Sequence, residues 1–303
     1  MVILNYRKES ARDPDVIFYN GLFYCLYSYE NALWIKYASS LDDLLDSAPR
    51  VVFKPNEKEE YSTRIWAPEL HVIDGVCYIY VTIGARSSLL EHMFVLTNDS
   101  DDPLKPYYIK SYIDNGDGGW AIDASIVKYN GSLYYVYSSF GKYDEEVYQA
   151  LYIAKMKNPY TLESRSYLLS KSEFEWEKFG CDGGSRPYVN EGPFAIYHNE
   201  KIHIVYSASG CWTNHYCLGL LTFKGGDILN KDNWVKCNKP ILDNRSGFIA
   251  PGHASFIQNH PSKKEYIFFH AYEDDCSRGE KYTLGHAYEI SWENDKPIIN
   301  IED

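Results

Sequence analysis

Five short stretches of this 303-residue chain carry an acid or a histidine just where an apolar run begins. They are Asp13 in "ARDPDVI", Glu69 in "WAPELH", Asp123 in "WAIDASIV", Glu191 in "VNEGP" and His253 in "APGHASF". A fold gains no stability from gathering carboxylates, because a buried, unpaired one costs several kcal/mol. One such acid alone is most simply a cap on backbone N–H groups. A set that recurs along the chain points instead to a cation site or to acid–base chemistry. Glycoside hydrolysis needs such a set. One carboxyl group protonates the leaving oxygen, a second takes a proton from water, and a third close by raises the pKa of the first by like-charge repulsion.

The elements that must bring these residues together are hairpins. "DPDVIFYNGLFYCLYS" (13–28) reads as strand, Asn20-Gly21 turn, strand. The pattern returns in "PELHVIDGVCYIYVTI", "DASIVKYNGSLYYVYSS", "GPFAIYHNEKIHIVYSA" and, with a longer turn, "GHASFIQNHPSKKEYIFFHA". Asn-Gly or Asp-Gly between alternating apolar runs is a strong hairpin signal. The turn residues Asn20, Asp74, Asn130 and Asn199 are spaced 54, 56 and 69 residues apart. Units of about 60 residues built on a repeated hairpin predict an all-β, five-bladed β-propeller, with residues 1–303 as one domain. The rival all-β reading is a sandwich or jelly roll.

Each quoted hairpin would supply the two inner strands of a blade. Segments such as 92–100 and 148–156 would supply outer strands, and "VILNY" would pair with the last blade. The one short helix expected is at 40–48. In a propeller, equivalent positions of the inner strands converge on the axis, so the acids would meet at one mouth. The repeats align to within one residue. Asp15, rather than Asp13, matches Glu69 in register, and Glu191 falls one residue early.

The chain carries a net charge of −12 and no basic stripe, which argues against nucleic acid and anionic membranes as partners. No apolar run is long enough for a membrane span. The N-terminal residues do not resemble a signal peptide, so the expectation is a cytoplasmic protein, or one exported by a signal absent from this sequence. The cysteines, at 25, 77, 181, 211, 217, 237 and 276, form no C-x-x-C pair and are read as free thiols. No phosphate-binding loop or G-x-S-x-G motif is present.

Taken in order and at blade spacing, the five motifs resemble those of glycoside hydrolase family 43, the five-bladed propeller enzymes that include α-L-arabinofuranosidases, arabinanases and β-xylosidases. The likeness runs from about residue 11 to residue 271. It implies Asp13 as general base, Glu191 as general acid and Asp123 as the group that tunes and holds Glu191. It also implies inversion at the anomeric carbon and a hydrated calcium or other ion near His253, with no cofactor required for the chemistry. "YSASGCWTNHYCLGLL" (206–221) resembles a fourth-blade segment of exo-acting arabinofuranosidases. The expected activity is therefore release of terminal arabinofuranose from oligosaccharides or polysaccharide side chains. A β-xylosidase and a non-catalytic glycan-binding propeller are the alternatives. The chain departs from the family in three places: Tyr272 stands where an arginine often follows "HA", no later arginine is evident in "KYTLGHAYEI", and Ala124 stands where glycine is usual.

Three further residues are candidates for substrate contact. Trp66 could stack on the apolar face of a sugar. Glu69 is set against the simpler reading of a hydrogen-bonded neighbour. Trp212 could border the leaving group. Trp120 is expected to be core more than platform. His71, His203 and His270 are read as packing residues. A single histidine at 253 cannot make a zinc site, and calcium would prefer oxygen ligands.

Overall fold

The computed structural model describes residues 2–4, 12–115, 119–141, 148–183, 186–272 and 283–301. It is nearly all β. Four main antiparallel strands make up each of the first four units. The first unit is Asp15–Tyr19, Leu22–Tyr29, Ala32–Ala38 and Arg50–Phe53, and the second is Tyr61–Ile73, Val76–Ala85, Glu91–Thr97 and Tyr108–Tyr112. The third is Ala121–Tyr129, Ser132–Phe140, Tyr148–Asn158 and Tyr167–Ser170, and the fourth is Tyr188–His198, Lys201–Ala208, Cys217–Phe223 and Trp234–Lys236. The last is Ile249–Ile257, Glu265–Tyr272 and Thr283–Glu293, with Lys296–Ile299 and Val2–Leu4 both pairing to its third strand. The expected closure by the N-terminal strand is therefore observed. So is the short helix, Leu41–Asp46, capped by the Ser40 hydroxyl accepting from the Asp43 N–H. It is too short to cross a membrane, and no described helix is long and apolar enough to do so.

The hairpins form because their turn residues accept left-handed backbone. Asn20-Gly21 and Asn130-Gly131 all have positive φ, as two-residue type I′ turns require. Alternating side chains then put apolar residues on both faces of each sheet, and both faces are buried against neighbouring units. Buried apolar clusters lie between the first and second units, the second and third, the third and fourth, the fourth and fifth, and the fifth and first. The last, which packs Val16, Phe23 and Cys25 against Ile257 and Phe268, closes the ring. The first strands of the units touch one another in the same cyclic order. Cys25, Cys77, Cys181, Cys211, Cys217 and Cys237 are free thiols, and Cys276 lies outside the described residues.

Candidate active site

Four of the five first strands are broken at the same place. The hydrogen-bond register skips between Trp66 and Glu69, Ile122 and Ser125, Glu191 and Phe194, and Gly252 and Ser255. At each break one residue is left-handed: Ala67 (φ 40°), Asp123 (54°), Gly192 (53°) and His253 (48°). In the first unit Asp13 (φ 50°) has the same place, two residues before Asp15 starts its strand. A bulge of this kind re-aims the side chains around it. Left-handed backbone costs a non-glycine residue roughly 1–2 kcal/mol, and such strain collects at functional sites.

The bulges are held from outside by the second strand of the preceding unit. Thr82 Oγ1 accepts from the Asp123 N–H (3.3 Å), Ser207 Oγ from the His253 N–H (2.8 Å), and His270 Nδ1 from the Asp13 N–H (3.2 Å). Ser138 Oγ donates to the Asn190 carbonyl (2.8 Å). Read through the strand pairing, Ser28, Thr82, Ser138, Ser207 and His270 occupy one register position. This column of four hydroxyls and a histidine is visible in the sequence once the hairpins are aligned. It corrects the expectation that His270 merely packs.

Asp13, Asp123, Glu191, Trp66, Trp212 and His253 all line one cavity of about 680 Å³. That is ample room for a sugar and part of its aglycone. Glu69 is not in the cavity wall. Two residues past the bulge, its buried carboxylate lies 2.9 Å from His71 Nε2, and beside it buried Asp15 accepts from the Leu70 N–H (2.8 Å). Glu69 thus has the hydrogen-bonded neighbour of the simpler reading, and Asp15 and Glu69 each begin the pairing that follows their unit's left-handed residue. Trp120 does line the cavity, with its indole N–H donated to Glu91, so it is not simply core.

The carboxylates meet through their neighbours. Asp13 Oδ1 lies 3.3 Å from His253 Nδ1, and Asp123 Oδ2 lies 4.0 Å from the same nitrogen. Asp123 Oδ2 also accepts from the Gly192 N–H (3.2 Å), which ties it to the residue after Glu191. Glu191 accepts from the Tyr216 hydroxyl at Oε1 and from Gln149 Nε2 at Oε2, both at 2.8 Å. Tyr216 fits because Gly252 lacks a side chain: a Cβ there would stand 2.2 Å from the tyrosine ring. Tyr216 and Gln149 escaped the sequence reading, since neither sits on a first strand.

Burial raises the pKa of Asp123 well above the usual carboxylate range, and the nearby charges of Glu191 and Asp13 push the same way. Burial also raises that of Glu191, against the hydrogen bonds from Tyr216 and Gln149, which favour the ionised form. The pair therefore keeps protons that free carboxyls would release. Burial lowers His270 to about 3, so its ring is neutral and can accept from Asp13.

No set of three or more His, Cys, Asp or Glu side chains among the described residues could hold a metal ion. The donor set at His253 is a single imidazole nitrogen turned toward Asp13 and Asp123. These residues do not form a direct coordination site, and an ion here would have to be held through water.

The profile of the family described as "Glycosyl hydrolases family 43" matches residues 6–297. The chain belongs to this family. Among curated relatives, "Alpha-L-arabinofuranosidase B" of Pyricularia oryzae is 28% identical over 282 residues, 90% of this chain and 56% of its own length. "Alpha-L-arabinofuranosidase 43" of Humicola insolens is 32% identical over 232 residues, 75% of this chain and 47% of its own. The chain thus spans about half the length of these relatives. Among solved structures, an α-L-arabinofuranosidase from Lactobacillus brevis superposes with a TM-score of 0.81 at 26% identity, covering 96% of both chains.

Proposed function

We propose that this family 43 chain is an inverting hydrolase that releases terminal α-L-arabinofuranose from arabino-oligosaccharides or pentosan side chains. The observation that carries the reading is that Asp13, Asp123 and Glu191, far apart along the chain, wall a single cavity. The names of the relatives, exo-acting arabinofuranosidases among them, support the choice of sugar.

In this reading the sugar sits over Trp66 with its scissile oxygen at Glu191. Protonated Glu191 passes its proton to that oxygen as the bond to the anomeric carbon breaks. A water molecule on the opposite face attacks the carbon and gives a proton to Asp13. The product has inverted configuration, and inverting enzymes hold the two groups roughly 6.5–9.5 Å apart to admit that water. Asp123 orients Glu191 through the Gly192 N–H, while burial and the charge of Asp13 favour the protonated form of Glu191. His253 braces Asp13 and Asp123, and no step is assigned to an ion beside it.

The test is hydrolysis of an arabinofuranosyl oligosaccharide, followed by chromatography, with and without Glu191→Gln. Loss of at least about 10³-fold is expected. The loss should be smaller on an aryl arabinofuranoside, whose leaving group needs less protonation. Full activity of Glu191→Gln on the oligosaccharide would remove its assignment as acid. Faster turnover of an aryl xyloside would select a β-xylosidase, and sugar binding without product would select a glycan-binding propeller.

A further inference from the structure

Each unit has an equivalent position just before the left-handed residue of its first strand or its lead-in: Arg12, Trp66, Ile122, Glu191 and Gly252. Trp66, Ile122 and Glu191 from this column line the cavity, and Tyr216 fills the space that Gly252 leaves. Arg12 lines it too, next in the chain to Asp13. Its guanidinium donates to the Tyr272 hydroxyl and lies 5.6 Å from the centre of that ring. The Tyr272 hydroxyl in turn donates to the Cys211 carbonyl (2.8 Å). One chain of contacts thus joins the first, fifth and fourth units along a single wall of the cavity.

We infer that Arg12, aimed by Tyr272, is the substrate-positioning cation of the cavity, binding hydroxyl oxygens of the terminal sugar on the Asp13 side. This deepens the functional reading above and rests on it. Three other donors on the wall have partners within the protein. Tyr216 and Gln149 serve Glu191. Arg64 is bound to Glu91 (2.6 Å) and to the carbonyls of Ala85 and Ser88 (2.6 and 2.8 Å). A planar fork of N–H donors suits adjacent sugar oxygens, and an arginine held by a tyrosine ring keeps its orientation. Burial works against the charge of Arg12, and the adjacent Asp13 carboxylate favours the cation. Tyr272, which replaces the arginine often found after "HA", is thus the support for an arginine supplied by the first unit.

The experiment is steady-state hydrolysis of an arabinofuranosyl oligosaccharide by the whole chain and by Arg12→Met, Arg12→Lys, Tyr272→Phe and the double variant Arg12→Met with Tyr272→Arg. Loss of a charged hydrogen bond to substrate is expected to lower kcat/KM about 10- to 100-fold in Arg12→Met, chiefly through KM. Arg12→Lys should recover part of this. Tyr272→Phe should lose a few-fold, and the double variant should regain KM by delivering a guanidinium from the other side. A folded Arg12→Met with unchanged KM overturns the inference and leaves the hydrolase reading standing. If Arg12→Met does not fold, unchanged KM in both Arg12→Lys and Tyr272→Phe overturns it equally. No turnover and no sugar binding by the unaltered chain would end both.

Discussion

The second and third units break their first strands alike and differ in the residue placed at the break. Both first strands break at the same register, and both put a left-handed residue at the break, Ala67 in one and Asp123 in the other. Ala67 brings no chemistry, yet its backbone bears the same strain. The bulge is therefore a property of the repeat, a way of turning a strand toward the axis, and residue type decides which units become part of the site. The first, third and fifth units carry Asp13, Asp123 and His253 at that position. The fourth has Gly192 there and supplies Glu191 from the residue before.

Turning the third unit into a copy of the second is the severest challenge to this comparison. Asp123→Ala should lower oligosaccharide hydrolysis by about 10³-fold or more, with the far-UV circular dichroism unchanged. Near-normal rates would mean that the third unit is as silent as the second.

A smaller effect sharpens the contrast between the cavity and the layer beneath it. Burial raises Asp15 and Glu69 to about 8 each, and Asp15 is raised further by its neighbour Glu69. Their folded-state pKa values lie above those of the unfolded chain, so the unfolded state loses protons first as pH rises. Stability then falls from about pH 4 to about pH 8. Burial lowers His71, His203 and His286 to about 4 and His270 to about 3. Their contribution has the opposite sign and is lost as pH falls below about 6.5. The window from about pH 6.5 to 8 is left to the acids. Denaturant midpoints should fall across it by up to about 1.4 kcal/mol per pH unit for each group, and Asp15→Asn should flatten the slope. An equally steep slope in the variant would show that Asp15 does not hold a proton in the folded protein.

The smallest expected effect is at Ala67. Glycine there relieves left-handed strain but adds backbone entropy to the unfolded chain, and the two are of similar size. Ala67→Gly should shift Tm by no more than about 3 °C and leave kcat unchanged. A large loss of activity would show that the second unit takes part in the chemistry through its backbone.

The hairpins, their order and the closing N-terminal strand were legible in the residues, because type I′ turns and alternating apolar runs are local signals. The Asp13, Asp123, Glu191 and His253 motifs were legible for the same reason, each being a short stretch tied to a strand. Glu69 was less legible, since it lies two residues past a bulge, and sequence alone does not show where alternation restarts. Tyr216, Gln149 and His270 were missed because each serves an acid in another segment of the chain.

By itself, then, the sequence determined a repeated hairpin and the residue types placed where each first strand opens. Tertiary structure alone decided which of those side chains face one another. That choice depends on closing the ring: the Asp13 backbone N–H finds its acceptor, His270, only when the fifth unit packs against the first. A contact between residues 257 positions apart leaves no local trace, because its geometry comes from the packing of whole sheets and not from any short run of the chain.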